Sequence, residues 1–412
     1  MASLNKVISK KIVLAPLVIC ILFLVYFISR NLKSTNNFQT PQMHESKFLE
    51  TFDGTPSSPM NAVLPNWDIQ VHSRDENTWY QLKSMHAQHG SDCSAPPAMH
   101  VNNTYEGAVF LCKNHLMTAI SADYAAIYLT PPYLLDFKKD GVISFDISTE
   151  RMSKLDWWDV WISPYDSNLA IPFTSGDPDI KGEPEDSVHI TIEDPGNIPT
   201  LYINQDGKQK QYKNGLNIPF NSKIKKGTNQ SAVRQPFKIT LSKNHLKFER
   251  LKSLTGEAIV FFDTDLSELN FDTGVVQFGH HSYDPEKDPI GKPGTWHWDN
   301  ISLNPSIPFS ITRGNRRYID NENQTLNFTK PAPQNSYLRF NGIGKIEVSY
   351  NGNPFVEAQK AGWAKDHTWD PKHFASYWTQ IPQGTKSLRL KFSPDGNYTG
   401  PFIAKDFSIW SR

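Results

Sequence analysis

Five of the chain's eleven tryptophans fall in two short stretches, Leu155–Ser163 (LDWWDVWIS) and Thr295–Ser302 (TWHWDNIS), and in both they are interleaved with carboxylates. On a β-strand successive side chains point to opposite faces, so Trp157, Asp159 and Trp161 share one face while Trp158, Val160 and Ile162 share the other. The second set is apolar and reads as core. The first combines flat rings, on which the C–H face of a pyranose can stack, with an acceptor for hydroxyls, the mix expected of a ligand pocket. The competing account is that the large rings fill a sandwich core and Asp159 pairs with a neighbour.

Histidines supply a second set. His280 and His281 follow the apolar run Val275–Phe278, and His297 and Asp299 lie in the second Trp stretch. Alternation turns Gln277 and His281 to one face, and if the two strands are neighbours His281, His297 and Asp299 meet in a cluster suited to sugar hydroxyls or proton transfer. The expected ligand contacts are therefore Trp157, Asp159, Trp161, Gln277, His281, His297 and Asp299. Within that set Asp159, Asp299, His281 and His297 are the candidate catalytic groups. Buried, hydrogen-bonded histidines are the ordinary alternative.

Other acids are read in the same way. Glu183 and Glu185 could join Asp159 or Asp299 as a glycosidase pair, but spacing alone does not bring two carboxyls to the separation of roughly 5 to 9 Å that such chemistry needs. Asp263-Thr-Asp-Leu-Ser-Glu268 reads as a turn or a helix capping box. Asp166, Asp177, Asp179 and Glu183 fall in one Pro/Gly-rich loop and offer the hard oxygen ligands that suit calcium, against the plainer account of solvated loop acids. No cofactor is expected, with calcium the one alternative. Of three cysteines, Cys20 sits in an apolar run, which leaves Cys93 and Cys112 as an even pair for one disulfide, or as two separate buried thiols.

The elements that must position these groups are short strands. Aromatic residues make up 12%, with 29 Pro and 23 Gly, and apolar residues arrive in bursts bounded by turn formers, so the class is all-β. Strand-like runs recur from Trp67 to Phe278, and a polar stretch from Asn204 to Gln230, rich in lysine, reads as a long insertion. Period-two alternation resumes at Tyr337–Phe340, Lys345–Tyr350, Leu388–Phe392 and Phe402–Trp410, with Asn351-Gly352 marking a tight turn. Residues 12–29 form an apolar run that as a helix would span about 25 Å, near the thickness of a bilayer core. Lys6, Lys10 and Lys11 precede it and predict an N-terminus inside, with the bulk of the chain extracytoplasmic in a single-pass arrangement. A cleaved signal peptide is the alternative. The 42 basic and 42 acidic side chains leave no net field to attract nucleic acid.

The opening Phe52-Asp-Gly-Thr-Pro56, the Trp-rich strand over 156–162, the paired runs Phe237–Leu241 and Leu246–Phe248, and the closing Trp296–Ser302 resemble the concanavalin A-like lectin/glucanase superfamily. The resemblance implies a two-sheet jelly roll over residues 46–310 whose concave face holds carbohydrate. The C-terminal part resembles a galactose-binding-like or carbohydrate-binding module. The Glu-x-Asp-x-x-Glu string of laminarinase-like hydrolases is missing, since Asp263 stands at its first position in the nearest string. The organisation expected is a cytoplasmic segment over 1–11, a transmembrane anchor over 12–29, a stalk over 30–45, the jelly-roll sandwich over 46–310, a linker over 311–319 and a smaller β-sandwich over 320–412. The function expected is glycan or polysaccharide binding at the cell membrane, with a glycoside hydrolase or polysaccharide lyase of non-standard active site as the alternative.

Overall fold

Strand alternation of apolar and polar residues organises the protein into two sandwiches, seen in a computed structural model. It describes residues 46–53, 64, 66–72, 107–112, 115–120, 125–149, 156–166, 186–193, 198–213, 216, 234–253, 256–282, 294–314, 318–319, 325–360, 375–396 and 399–412. All regular elements among them are β, and none is a helix long and apolar enough to cross a membrane. The expected anchor over 12–29 and stalk over 30–45 lie outside the described residues.

Among the described residues the first sheet has sixteen strands. They are β1 Ser46–Glu50, β2 Asp68–His72, β3 Gly107–Leu111, β4 Leu116–Ile120, β5 Ala125–Thr130, β6 Tyr133–Asp136, β7 Gly141–Ser148 and β8 Asp156–Ser163. The series continues with β9 Ser187–Glu193, β10 Ile198–Gln205, β11 Lys208–Lys213, β12 Gln235–Ser242, β13 His245–Arg250, β14 Ile259–Asp265, β15 Thr273–Ser282 and β16 Gly294–Pro308. Their order is β11-β10-β9-β8-β15-β6-β16-β7-β12-β13-β14, with β5 and β2 extending from β15, and β4, β3 and β1 from β16. β6 pairs with both β15 and β16, so the sheet folds over there and its two halves face one core.

That core takes Trp158, Val160 and Ile162 from β8 and Phe278 from β15 on one side, and Phe145, Phe237, Phe248, Trp296 and Trp298 on the other. Trp158 meets Phe145, Phe237 and Trp298 edge-on at centroid distances of 5.4 to 6.3 Å. These contacts follow directly from the period-two reading of the Trp stretches.

The C-terminal sandwich has a sheet ordered β17-β26-β20-β24-β23, with β18 on β26, and a facing sheet ordered β19-β25-β21-β22. Its strands are β17 Ser310–Arg313, β18 Tyr318–Ile319, β19 Thr325–Asn327, β20 Ser336–Ile343, β21 Lys345–Tyr350, β22 Val356–Glu357, β23 Gln359–Lys360, β24 Ala375–Ile381, β25 Ser387–Ser393 and β26 Ile403–Ser411. Leu338, Phe340 and Phe407 from one sheet meet Ile346, Val348 and Leu388 from the other. Asn351 and Gly352 adopt φ of 51° and 80°, as a tight turn requires.

Three local expectations are corrected. Asn204 to Lys213 is no insertion: Asp206 and Gly207, at φ of 51° and 69°, form a two-residue hairpin joining β10 to β11, and Gln205 pairs with Lys208. An Asp-Gly pair is a strong hairpin signal, and lysine on an exposed edge strand opposes further pairing. The stretch 311–319, read as a linker, contributes β17 and β18 to the C-terminal sheet. Asp263 and Asp265 lie in β14 and Glu268 in the irregular segment after it, so no helix is capped there.

Residues Glu45–Arg412 form one compact unit, and the two sandwiches share a buried seam within it. Tyr165 meets Phe309, Tyr337 and Trp410, each ring centroid within 6.5 Å. Asp68 of β2 accepts a hydrogen bond from Ser408 Oγ of β26 at 2.8 Å and lies 3.3 Å from Arg339 Nε of β20. A fragment starting at 320 lacks β17 and the Phe309 ring that packs on Trp410 at 5.3 Å. We therefore expect residues 309–412 to unfold cooperatively in urea and residues 320–412 to be markedly less stable. Circular dichroism melts of equal midpoint for the two fragments would contradict this.

Candidate functional site

The face of the β8 half-sheet that points away from the first core is polar, and strand register orders it into rows. Tyr202, His189, Trp161 and Gln277 lie side by side on β10, β9, β8 and β15. Gln277 Nε2 then donates to Thr130 Oγ1 at 3.0 Å, and Thr130 stands opposite Asp68. The adjacent row is Thr200, Thr191, Asp159, Gly279, Tyr128 and Gln70, and a third holds Trp157, His281 and Ala126.

Asp159 is the hub. Its Oδ2 accepts from Trp161 Nε1 at 3.0 Å and lies 3.1 Å from His189 Nε2 and 2.7 Å from His281 Nε2. Burial pushes this carboxyl up, but the charge and hydrogen bond of His281 and the hydrogen bond of His189 outweigh it and hold the group well below the usual carboxylate range. An ionised carboxylate only accepts, so both histidines carry a proton on Nε2 and donate to it. Tyr128 Oη sits 2.9 Å from the same His281 Nε2. The rings are fixed by stacking: His189 on Trp161 at 3.7 Å, Tyr202 on His189 at 5.5 Å, and Trp157 on His281 at 5.2 Å. Gly279 is obligatory here, because a Cβ would stand 1.8 Å from Asp159 Oδ1.

The structure brings together Trp157, Asp159, Trp161, Gln277 and His281 as expected, and adds His189, Tyr202, Tyr128 and Thr191. The expected open platform is corrected. Asp159 is fully buried, Trp161 is 1% and Trp157 8% exposed. Trp161, Tyr128 and Ala126 share an apolar cluster with C-terminal residues such as Leu338 and Tyr377, so that sandwich covers part of the face. His189 and Tyr202 fall on strands whose plain Ile/Val alternation shows a core face but gives no sign of which strand lies beside β8.

His297 and Asp299 do not join this cluster. They project from the outer face of the other half-sheet, because Trp296 and Trp298 take the core side of β16. His297 Nδ1 lies 2.8 Å from His115 Nε2, and Asp299 pairs with Arg234 and accepts from the Asn300 amide. The histidine that does approach β16 is His280, whose Nδ1 shares Thr118 Oγ1 with Trp298 Nε1, each at 3.0 Å. Of the calcium candidates, Asp166 is exposed, and Asp177, Asp179 and Glu183 lie outside the described residues. Among the described residues no group of three or more His, Cys, Asp or Glu is arranged to hold a metal. Cys112 is buried and disulfide-bonded; Cys93, its expected partner, lies outside the described residues.

No protein-family model matches the sequence, and no curated protein matches it. Among solved structures the chain is similar to a glycoside hydrolase family protein from Mycobacterium thermorestibile, at 15% identity and a TM-score of 0.36, over 62% of this chain and 99% of that one. It is also similar to the Ca2+-bound exoplasmic/lumenal domain of VIP36, at 10% identity and a TM-score of 0.36, over 65% and 96% of the two chains. A protein of unknown function with galectin-like fold from Bacillus subtilis aligns at 9% identity and a TM-score of 0.35, over 63% and 100%.

Burial lowers the pKa of His189, and burial with His115 and Arg234 nearby lowers that of His297 well below the ordinary 6.5. Each stays neutral when folded and takes up a proton when unfolded. Stability therefore falls as pH drops below about 6.5, by up to roughly 1.4 kcal/mol per pH unit for each histidine until its folded pKa is reached. Asp299, which burial pushes up to about 6, acts in the opposite sense between its unfolded and folded values and offsets part of that slope. Urea denaturation at pH 7.5 and 5.5 should show the net loss, steeper in Asp299→Asn and shallower in His189→Gln. Equal stability at both pH values would refute it.

Proposed function

We propose that the protein binds carbohydrate through the polar outer face of the β8 half-sheet. The observation that carries this reading is the face's composition: aromatic rings alternate with Asp159, His189, Gln277 and His281, and several of its polar atoms are left over. Among the described residues Trp157 Nε1, Asp159 Oδ1, Thr191 Oγ1 and Gln277 Oε1 have no hydrogen-bond partner. Buried polar atoms are costly without partners. A polyhydroxylated ligand offers donors to the two carbonyl-type oxygens and acceptors to the indole N–H, while its C–H face suits the rings. Trp157, at 8% exposure, marks the side from which a ligand would enter.

A second reading is catalysis, favoured by the chain Tyr128 Oη, His281 Nε2 and Asp159 Oδ2 at 2.9 and 2.7 Å. Both partners meet one ring nitrogen, so His281 Nε2 can take a proton from the phenol only as it yields its own to Asp159, and by that exchange the three groups could move one proton in hydrolase or lyase chemistry.

The test uses the full-length chain on a glycan array, with affinities for any hit measured in Trp157→Phe and Thr191→Val, which remove one polar group each, the second without a change of shape. Binding should weaken by about 1 to 2 kcal/mol per lost hydrogen bond while the melting temperature holds. Failure to bind any glycan, or unchanged affinity in both variants, would retire the reading. Loss of product formation with binding retained in Asp159→Asn would favour the catalytic reading.

We further propose that residues 12–29 anchor the chain in a membrane with the N-terminus inside and the sandwiches outside, supported by the charge-free apolar run and the lysines before it. Protease added to intact cells should digest the sandwich region, and alkaline carbonate should leave the chain in the membrane fraction. Release of the chain by carbonate would count against the anchor.

A further inference from the structure

The seam between the sandwiches buries more positive charge than it satisfies. Arg339 is 1% exposed, yet among the described residues its Nε, Nη1 and Nη2 have no hydrogen-bond partner. Nε lies 3.3 Å from Asp68 Oδ2, within ion-pair reach but without hydrogen-bond alignment. Asp68 is already engaged: Oδ1 accepts from Ser408 Oγ at 2.8 Å and Oδ2 from Gln70 Nε2 at 3.3 Å. The Trp410 ring lies 4.9 Å from the guanidinium and holds its plane without accepting its N–H groups.

A second guanidinium stands on the same face. Ser408 of β26 is flanked by Arg339 on β20 and by Arg313 on β17, each directly opposite it in register. Residues directly opposite on antiparallel strands project to the same side, and Ser408 projects to Asp68. Arg313 Nη1 is likewise buried and, among the described residues, without a hydrogen-bond partner. Two guanidinium-bearing residues therefore flank the serine that bonds Asp68, and among the described residues only Arg339 is paired with that carboxylate.

We propose that this seam is a binding site for a small oxyanion, a carboxylate or sulfate-like group, held between Arg313 and Arg339. The planar fork of arginine matches the two-oxygen edge of such a group. The bound anion balances the charge and bridges strands of the C-terminal sheet beside Asp68 of the first sandwich, so it ties the two sandwiches together. Arg313, only half-buried, gives the route of entry.

The experiment titrates the full-length chain with sodium sulfate, sodium acetate and sodium glucuronate in turn, at constant ionic strength set with sodium chloride, by isothermal calorimetry and thermal melting. The expected result is saturable one-to-one binding of at least one of the three, with a matching saturable rise in melting temperature. Sulfate or acetate binding identifies a free oxyanion as sufficient, and binding of glucuronate alone identifies an acidic sugar as the source of the carboxylate. Arg313→Met should weaken binding by about tenfold or more. Arg339→Met should abolish it, and if that variant does not fold, Arg313→Met alone decides. Absence of saturable binding for all three anions overturns the proposal, as does affinity unchanged in Arg313→Met. Equal, non-saturating stabilisation by every salt also overturns it, because that is the general effect of excluded salts.

Discussion

A carboxylate cannot be buried without donors, and Asp159 shows how far that requirement reaches. With its side chain fully enclosed, one oxygen gathers the N–H groups of Trp161, His189 and His281. Those three residues come from three adjacent strands, so satisfying one charge fixes the register of β9, β8 and β15 against one another. Slipping any strand by one residue would turn a donor to the opposite face and leave the charge buried alone. Gly279 completes the arrangement by leaving room for the second oxygen.

The same rows lead from this hub to the seam. Trp161 neighbours Gln277, Gln277 bonds Thr130, Thr130 stands opposite Asp68, and Asp68 meets Ser408 and Arg339 of the C-terminal sandwich. A continuous polar strip therefore runs across the outer face of one sandwich and ends against the other. Apolar packing of Tyr165, Tyr337 and Trp410 closes the seam beside it. The outer face thus serves two demands, enclosure of the Asp159 carboxylate among its donors and attachment of the second sandwich near Asp68.

Much of this was legible in residue order. The alternation in Asp156–Ser163 sorted Trp158, Val160 and Ile162 to the core and Trp157, Asp159 and Trp161 to the outer face, as found. The positions of β2, β3, β5, β7, β9, β12 to β15, β20, β21, β25 and β26, and the turn at Asn351-Gly352, followed from the same period and from turn chemistry. The Asp206-Gly207 hairpin was equally available in the sequence but was masked by the lysines around it.

What alternation determined is which residues share a face of their own strand, because side-chain direction is a local property of extended backbone. It could not determine which strands are neighbours. Sheet order is set by long-range closure, and that decided that His189 rather than His297 reaches Asp159, and that His280 rather than His281 turns toward β16. Nor could local pattern show whether a polar, aromatic face meets solvent or a second domain, since the same residues suit both. Only the packing of the C-terminal sandwich, through Tyr337 and Trp410 against Tyr165 and through Arg339 against Asp68, settled that part of the face is covered.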